Sequence, residues 1–171
     1  MTYTFISDDL EPPFDIETDE FIIRKLTVDE VEKDFEALMS SKESLRQIFG
    51  IDDDWPADDM TIEENYKDLK GHQDQFDNRE GFAYTVVNKG DTECIGCIYI
   101  WPWAHGTYDA LSYYWVTDKV KENGFEEVLG DYLDRWLKSF WSFKNILYPG
   151  RNITLLEWEE LIKKIKEEKK G

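Results

Sequence analysis

One segment in the second half of the chain has the residue order of an anion-binding loop. A predicted strand that ends in Tyr114-Trp115-Val116 leads through a charged loop to Gly124, and a predicted helix follows directly. The backbone N–H groups at the start of a helix have no partner within the helix, so they point toward whatever enters the loop. The segment therefore predicts a site for an anion.

The spacing of this segment resembles the acetyl-CoA signature of the GNAT-type N-acetyltransferases. Counting from Val116, the positions that matter stand two, five, eight and ten residues on: Asp118, Lys121, Gly124 and Glu126. The family has Val-x-Pro, then Gln or Arg, two residues, Gly, one residue, and Gly or Ala. Val116 and Gly124 match and Lys121 is a conservative replacement. Asp118 and Glu126 depart from the pattern, so the signature is degenerate.

The elements around this segment are indicated by caps and turns. Capping boxes of the form Thr-x-x-Glu predict helix starts at 27–30, 61–64 and 154–157. Predicted strands at 82–87 and 93–101 form a hairpin, and a third strand at 108–116 extends it as an antiparallel meander.

The first 20 residues are rich in acids, contain Pro12 and Pro13, and show no clear period. We expect residues 1–20 to form an irregular arm and residues 21–171 to form a single domain.

The order strand, two helices, helix, meander, helix, strand, helix also resembles the GNAT fold. The resemblance implies an α/β domain with a twisted, mostly antiparallel sheet, flanking helices, splayed central strands and a shortened C-terminal part. It also implies a V-shaped slot for the pantetheine arm between strand 108–116 and strand 145–148. The segment Tyr148-Pro-Gly-Arg151 and the helix with Trp158 further resemble a bacterial subgroup identified only by similarity as acetyltransferases.

The same resemblance implies which residues would contact acetyl-CoA. Trp115 and Val116 would offer backbone groups to the pantetheine arm, and Asn152 lies near a position where the family often has an Asn that contacts the cofactor. The loop amides would face the pyrophosphate, and they belong to Lys121, Glu122, Asn123, Gly124 and Phe125.

Acetyl transfer to an amine requires a deprotonated nucleophile beside the thioester. By the resemblance, Asp109 is the candidate base and Tyr148, on the other arm of the slot, is the candidate acid. Each has an ordinary alternative: Asp109 as a solvated residue at a strand start, and Tyr148 as a core residue whose hydroxyl reaches water. A group formed by Trp55, Trp101, Trp103 and His105 could hold a cation by cation–π contact, or could simply be buried under loops.

Composition limits the partners. Thirty-eight acidic and twenty basic residues give a net charge of −18, which disfavours nucleic acid and anionic membranes and would attract a cation, although an acidic surface often serves solubility alone. No secretory signal is present in residues 1–10, so we expect a cytoplasmic protein without a membrane span. Cys94 and Cys97, three apart on a predicted strand, are expected on opposite faces as reduced thiols, and no metal site is expected.

The sequence therefore predicts an enzyme that transfers an acetyl group from acetyl-CoA to a small amine by direct transfer. A cationic amine is one option, since the acidic surface would attract it. The alternative is a non-catalytic GNAT-like binding or interaction module that has lost affinity for CoA through Glu126. The position of Glu126 separates the two hypotheses, because a carboxylate beside phosphate lowers affinity unless it swings out or pairs with a lysine. Both a monomer and a homodimer are compatible with the sequence.

Overall fold

The computed structural model describes residues 3–170 and contains one six-stranded sheet. The strands lie side by side in chain order, and every neighbouring pair is antiparallel except the last, which is parallel. The predicted α/β class with a mostly antiparallel sheet is therefore confirmed. The strands are β1 (Asp15–Glu17), β2 (Phe21–Lys25), β3 (Phe82–Asn88), β4 (Cys94–Pro102), β5 (Ala110–Val116) and β6 (Ile146–Leu147).

Helices cover both faces of this sheet and create two hydrophobic cores. On one face, α5 buries a stripe that includes Leu129, Leu133 and Leu137. On the other face, Leu38 of α1, Leu69 of α3 and Trp158 of α6 pack against the sheet. The helices are α1 (Val31–Ser40), α2 (Lys42–Leu45), α3 (Ile62–Asp77), α4 (Asp118–Lys121), α5 (Phe125–Ser139) and α6 (Leu155–Lys170). No helix in residues 3–170 is both long and apolar enough to cross a membrane.

The capping boxes place the helix starts as predicted, with one difference. At α6 the box is reciprocal, since the Thr154 and Glu157 side chains each accept the other's backbone amide at 3.1 Å. At the first box, Thr27 accepts from Asp29 and begins a short 3-10 turn before α1, while the Glu30 side chain pairs with Arg24. The ion pair with Arg24 thus replaces the contact that a capping box would form between the Glu30 carboxylate and the Thr27 amide.

The two cysteines lie on the same face of the sheet, contrary to the sequence prediction. The register of β3 and β4 shifts between Val86 and Val87, so that Val86 faces Gly96 and Val87 faces Cys94. This bulge adds a residue to β4 and turns Cys94 to the face that Cys97 already occupies. Both thiols are buried and free, as predicted.

Residues 3–17 are docked on the rest of the fold. Within the predicted arm, residues 3–14 contain no helix or strand and residues 15–17 form the edge strand β1. Tyr3 is bonded near the end of the sheet, where its hydroxyl donates to the carbonyl of Asp109 and accepts from the Trp103 amide. Phe5 stacks between Phe82 and Phe143, each 5.9 Å away by ring centres.

Candidate active site

The central strands separate beyond a short paired segment and leave a V-shaped slot. β5 and β6 are partners only at Ala110–Ile146 and Leu111–Leu147, after which the chain turns away from β5. The slot has a volume of about 250 Å³. Its walls come from β5, from the end of α2 and the loop after it, from α4 and the start of α5, and from the segment after β6: Leu45, Ile48, Trp115, Val116, Lys121, Glu126, Gly150 and Arg151.

Arg151 reaches across the V-shaped slot to β5. Its Nη2 donates to the carbonyl oxygen of Tyr114 at 3.0 Å, and its guanidinium lies 3.6 Å from the centre of the Tyr114 ring. The same nitrogen is 3.0 Å from Glu126 Oε1, and Lys121 Nζ is 3.5 Å from Glu126 Oε2. Glu126 therefore lies within the slot, with its side chain 22% exposed, and pairs with both cations there, which leaves one net positive charge.

The loop between β5 and α5 uses most of its own amides. The N–H groups of Lys121, Glu122, Asn123 and Gly124 donate to carbonyl oxygens of residues 117–121, which closes the loop into the short helix α4 and a turn. Gly124 has φ of +80°, a conformation that favours glycine, and α5 begins directly after it without a side-chain cap. The unpaired amides are therefore those of the first turn of α5, which starts at Phe125.

A second cavity of about 280 Å³ lies on the α1–α3 face of the sheet. We call it the aromatic cavity, and it is lined by Leu26, Asp34, Phe49, Asp53, Trp55, Asn65, Asp68, Leu69, His72, Tyr99 and Trp101. The ring of Phe49 lies 5.3 Å from the rings of both Trp55 and Tyr99, and Tyr99 stacks on Trp101 at 5.3 Å. The cavity thus combines an aromatic wall with three aspartates.

One side-chain pair joins the two cavities. Trp115 lines the V-shaped slot, and its Nε1 donates to the hydroxyl of Tyr99 in the aromatic cavity at 3.1 Å. Ile48 and Phe49, consecutive in the loop after α2, line the slot and the aromatic cavity respectively. A group bound in the slot and a group bound in the aromatic cavity would therefore be neighbours.

Solved structures with the same architecture are acetyltransferases. A ribosomal-protein-S5-alanine acetyltransferase from Vibrio fischeri is 13% identical with a TM-score of 0.57, covering 74% of this chain and 68% of its own. RimL, a ribosomal L7/L12 α-N-protein acetyltransferase in complex with coenzyme A, is 17% identical with a TM-score of 0.55, covering 74% and 67%. The microcin C7 self-immunity acetyltransferase MccE, in complex with acetyl-CoA and AMP, is 17% identical with a TM-score of 0.51, covering 72% and 69%.

This chain has the GNAT fold. No protein-family profile and no curated protein matches its sequence, so the likeness is one of architecture. Within this fold, β5 and β6 are the splayed strands, and segment 117–125 joins β5 to α5.

The predicted base, Asp109, lies at the closed end of the V-shaped slot. It precedes β5, and its Oδ2 accepts from the backbone amides of Lys144 at 2.8 Å and Asn145 at 3.0 Å. Its own amide donates to the carbonyl of Asn145 at 2.7 Å. These contacts fasten the start of β6 beside β5, and Asp109 lines neither the slot nor the aromatic cavity.

The predicted acid, Tyr148, faces α5. Its hydroxyl donates to Asp134 Oδ1 at 2.9 Å, and burial together with this carboxylate raises the pKa of Tyr148. Asn152 supports the same segment, since its Oδ1 accepts from the Tyr148 amide and its Nδ2 donates to the carbonyl of Ile146. The Asn152 side chain thus satisfies backbone groups of Ile146 and Tyr148 at the point where pairing with β5 ends.

The structure divides the predicted aromatic group. Trp55 and Trp101 line the aromatic cavity, whereas Trp103 packs on His105 and on Trp158 of α6 at 5.2 and 5.3 Å. The cation-binding hypothesis therefore applies to Trp55 and Trp101 alone.

Sequence reasoning missed Asp34. It lies on α1, is 3% exposed, and accepts one hydrogen bond at Oδ2 from Asn65 Nδ2 at 2.9 Å. Burial raises its pKa to about 6, opposed by the Asn65 hydrogen bond and reinforced by the nearby charges of Asp68 and Glu30. The available signal was a charged residue between the apolar positions Val31, Phe35 and Leu38 of an amphipathic helix.

Proposed function

We propose that this protein transfers an acetyl group from acetyl-CoA to the amine of a small molecule, directly and within a ternary complex. The observation that carries the proposal is the pair of cavities joined through Trp115 and Tyr99, one a V-shaped slot beside an uncapped helix start and the other lined with aromatic rings and carboxylates. Two structures of the same architecture hold coenzyme A or acetyl-CoA, which supports the choice of cofactor.

The residues of the V-shaped slot suit a phosphate-bearing cofactor after one rearrangement. The first turn of α5 offers unpaired amides, and Lys121 and Arg151 offer positive charge. Glu126 opposes an anion there, so we propose that it leaves Lys121 and Arg151 when pyrophosphate arrives. Trp115 and Val116 would face the pantetheine arm once Arg151 releases the Tyr114 carbonyl.

The other loop residues would act indirectly. Because the amides from Lys121 to Gly124 are used within the loop, we assign the pyrophosphate to the turn that starts at Phe125, with Glu122 and Asn123 shaping the approach to it. Asn152 would act by holding the arm of the slot that carries Arg151, not by contact with the cofactor.

Acetyl-CoA would supply the activated acetyl group, and the protein would supply the base that accepts a proton from the amine. The bound ammonium first loses one proton to a base, and the amine nitrogen then forms its bond to the acetyl carbon as the carbon–sulfur bond breaks. The departing CoA thiolate takes up the second proton of the nitrogen. Asp34 is our candidate for that base, because it is the buried carboxyl of the aromatic cavity. Asp109 and Tyr148 stay predictions, and a catalytic role would require them to give up the contacts described above.

Calorimetric titration with acetyl-CoA at moderate salt tests the cofactor site. We expect micromolar binding by the wild type. Replacing Glu126 by Gln should tighten binding roughly tenfold, because it removes a carboxylate near phosphate and frees two cations. Glu127→Gln is the matched control, since it removes the same charge one residue along the same helical turn, outside the ion pairs of the slot. Gly124→Trp and Arg151→Met should each abolish or strongly weaken the binding of acetyl-CoA.

A non-catalytic binding module is the second candidate. It is favoured by Glu126, which occupies the V-shaped slot, and by the loop amides, which are used internally. Absence of acetyl-CoA binding by the wild type, by Glu126→Gln and by Glu127→Gln would contradict the enzyme and support the module.

A further inference from the structure

We propose that the aromatic cavity binds the ammonium group of a primary alkylamine, with Asp34 as its counter-ion. As a statement about the acetyl acceptor this rests on the proposed function, whereas the binding itself is independent of acetyl-CoA. The ligand class follows from the charges of the cavity, from its unpartnered acceptors and from its rings.

The charges of the aromatic cavity are uncompensated. Asp34, Asp53 and Asp68 all line it, and no Lys or Arg does. Within residues 3–170, none of the three carboxylates forms an ion pair. Glu30, the other acid near Asp34, is paired with Arg24 and offers it no compensation. A buried carboxylate without a cation is costly to keep ionised, and a bound cation would relieve that cost.

Two buried acceptors in the cavity have free capacity. Asp34 is almost fully buried, and its single hydrogen bond in the described chain is the one from Asn65 to Oδ2, which leaves Oδ1 open. His72 Nδ1 is buried and has no hydrogen-bond partner among residues 3–170. Burial also lowers the pKa of His72, which favours the neutral ring whose Nδ1 can accept a hydrogen bond. A primary ammonium carries three N–H donors, so it can donate to the open oxygen of Asp34 and has further donors for other acceptors of the cavity.

The rings and the apolar residues define the rest of the ligand. Phe49, Tyr99 and Trp101 present a continuous aromatic wall, and His72 lies 5.4 Å from the Tyr99 ring and 6.4 Å from the Trp101 ring. Aromatic faces attract a cation within about 6 Å of the ring centre. Leu26 and Leu69 offer contact to a hydrocarbon chain. A short alkylammonium ion matches the part of the lining that Asp34, the rings and these two leucines form.

The test is calorimetry without acetyl-CoA, using n-butylamine at pH 7.5, where it is the butylammonium ion. Two further probes are 1-butanol, its neutral counterpart, and tetramethylammonium, a cation without N–H donors. Moderate salt screens the general attraction of a protein with net charge −18. We expect butylammonium to bind at least tenfold more tightly than either probe.

Asp34→Asn should weaken butylammonium binding at least tenfold, and Trp101→Leu should weaken it severalfold. Asp59→Asn, at an exposed position outside the cavity, removes the same charge and should change nothing. Equal affinity for butylammonium and 1-butanol, or equal effects of Asp34→Asn and Asp59→Asn, would overturn the proposal. If Asp34→Asn fails to fold, the affinities of the three probes for the wild type and for Trp101→Leu decide whether the proposal holds.

The two proposals fail separately. Butylammonium binding with no acetyl-CoA binding leaves the ammonium site intact and rejects the enzyme. Acetyl-CoA binding with no preference for butylammonium rejects the ammonium site and leaves the enzyme.

Discussion

The V-shaped slot and the aromatic cavity lie side by side but treat charge in opposite ways. In the slot, Glu126 pairs with Lys121 and Arg151, so each ionised group there has a partner of opposite charge. In the aromatic cavity, Asp34 is buried, and no cation of residues 3–170 pairs with it. The slot must therefore break internal contacts before it binds an anion, whereas the cavity gains an ion pair as soon as a cation enters. Under the proposed function, the amine would therefore bind without a rearrangement and before acetyl-CoA.

The sharpest test of this contrast is the stability of Asp34→Asn. The pKa of Asp34 is raised to about 6 in the folded protein, so the folded state holds its proton more tightly than the unfolded state does. The free energy of unfolding then falls as the pH rises from about 4 to above 6, by at most about 3 kcal/mol. Asn cannot ionise, so the variant should exceed the wild type by up to that amount at pH 8 and match it near pH 4.

Urea unfolding of both proteins at several pH values measures this difference in the free energy of unfolding. The contributions of the other acids cancel, because both proteins contain them. A wild type that is more stable than Asp34→Asn at pH 8 would mean that Asp34 is already compensated, and the contrast between the two regions would disappear.

The closed end of the V-shaped slot should depend on the hydrogen bonds that Asp109 accepts. Asp109→Ala leaves the amides of Lys144 and Asn145 without their acceptor, so we expect a loss of about 1–2 kcal/mol in urea unfolding. Asp109→Asn keeps one acceptor oxygen and should lose less. If Asp109→Asn retained full stability yet lost acetyl transfer, Asp109 would be the base that the sequence predicts, and Asp34 would not.

The ion pairs of the slot should contribute least. Glu126 and Arg151 are partly exposed, so breaking their pair with Arg151→Met should cost at most about 1 kcal/mol. The cost should shrink in high salt because screening weakens exposed pairs. A loss several times larger, unchanged by salt, would show that the slot is held shut by packing on Tyr114.

Much of the fold could be predicted because its signals are local. Thr61 and Thr154 mark their helices by side-chain caps, and the alternation from Phe82 to Trp101 marks a hairpin. The bulge that brings Cys94 to the face of Cys97 could not be predicted, since a register shift depends on the partner strand. The edge strand β1 was likewise missed, because its short run Asp15–Glu17 is strand only through pairing with β2.

The candidate site was predicted in part for a similar reason. The spacing of the sequence predicts Gly124 and the start of α5. It does not predict that the backbone amides of Asn123 and Gly124 donate to carbonyl oxygens within the loop. Arg151 reaches Tyr114 and Glu126 only through tertiary folding. Asp34 joins Tyr99 and Trp101 across more than 60 residues of chain, and no local pattern connects them.

The stacked rings of the aromatic cavity also make it optically distinctive. Trp55 and Trp101 are two of the seven tryptophans of the chain, and both lie close to Phe49, with Trp101 stacked on Tyr99. Close, fixed aromatic rings give a strong near-ultraviolet circular dichroism signal. Occupancy of the cavity can thus be followed without a label. On heating, the difference between the spectra of the wild type and of Trp101→Leu would separate the opening of this region from changes at other close pairs, such as Trp136 with Trp141.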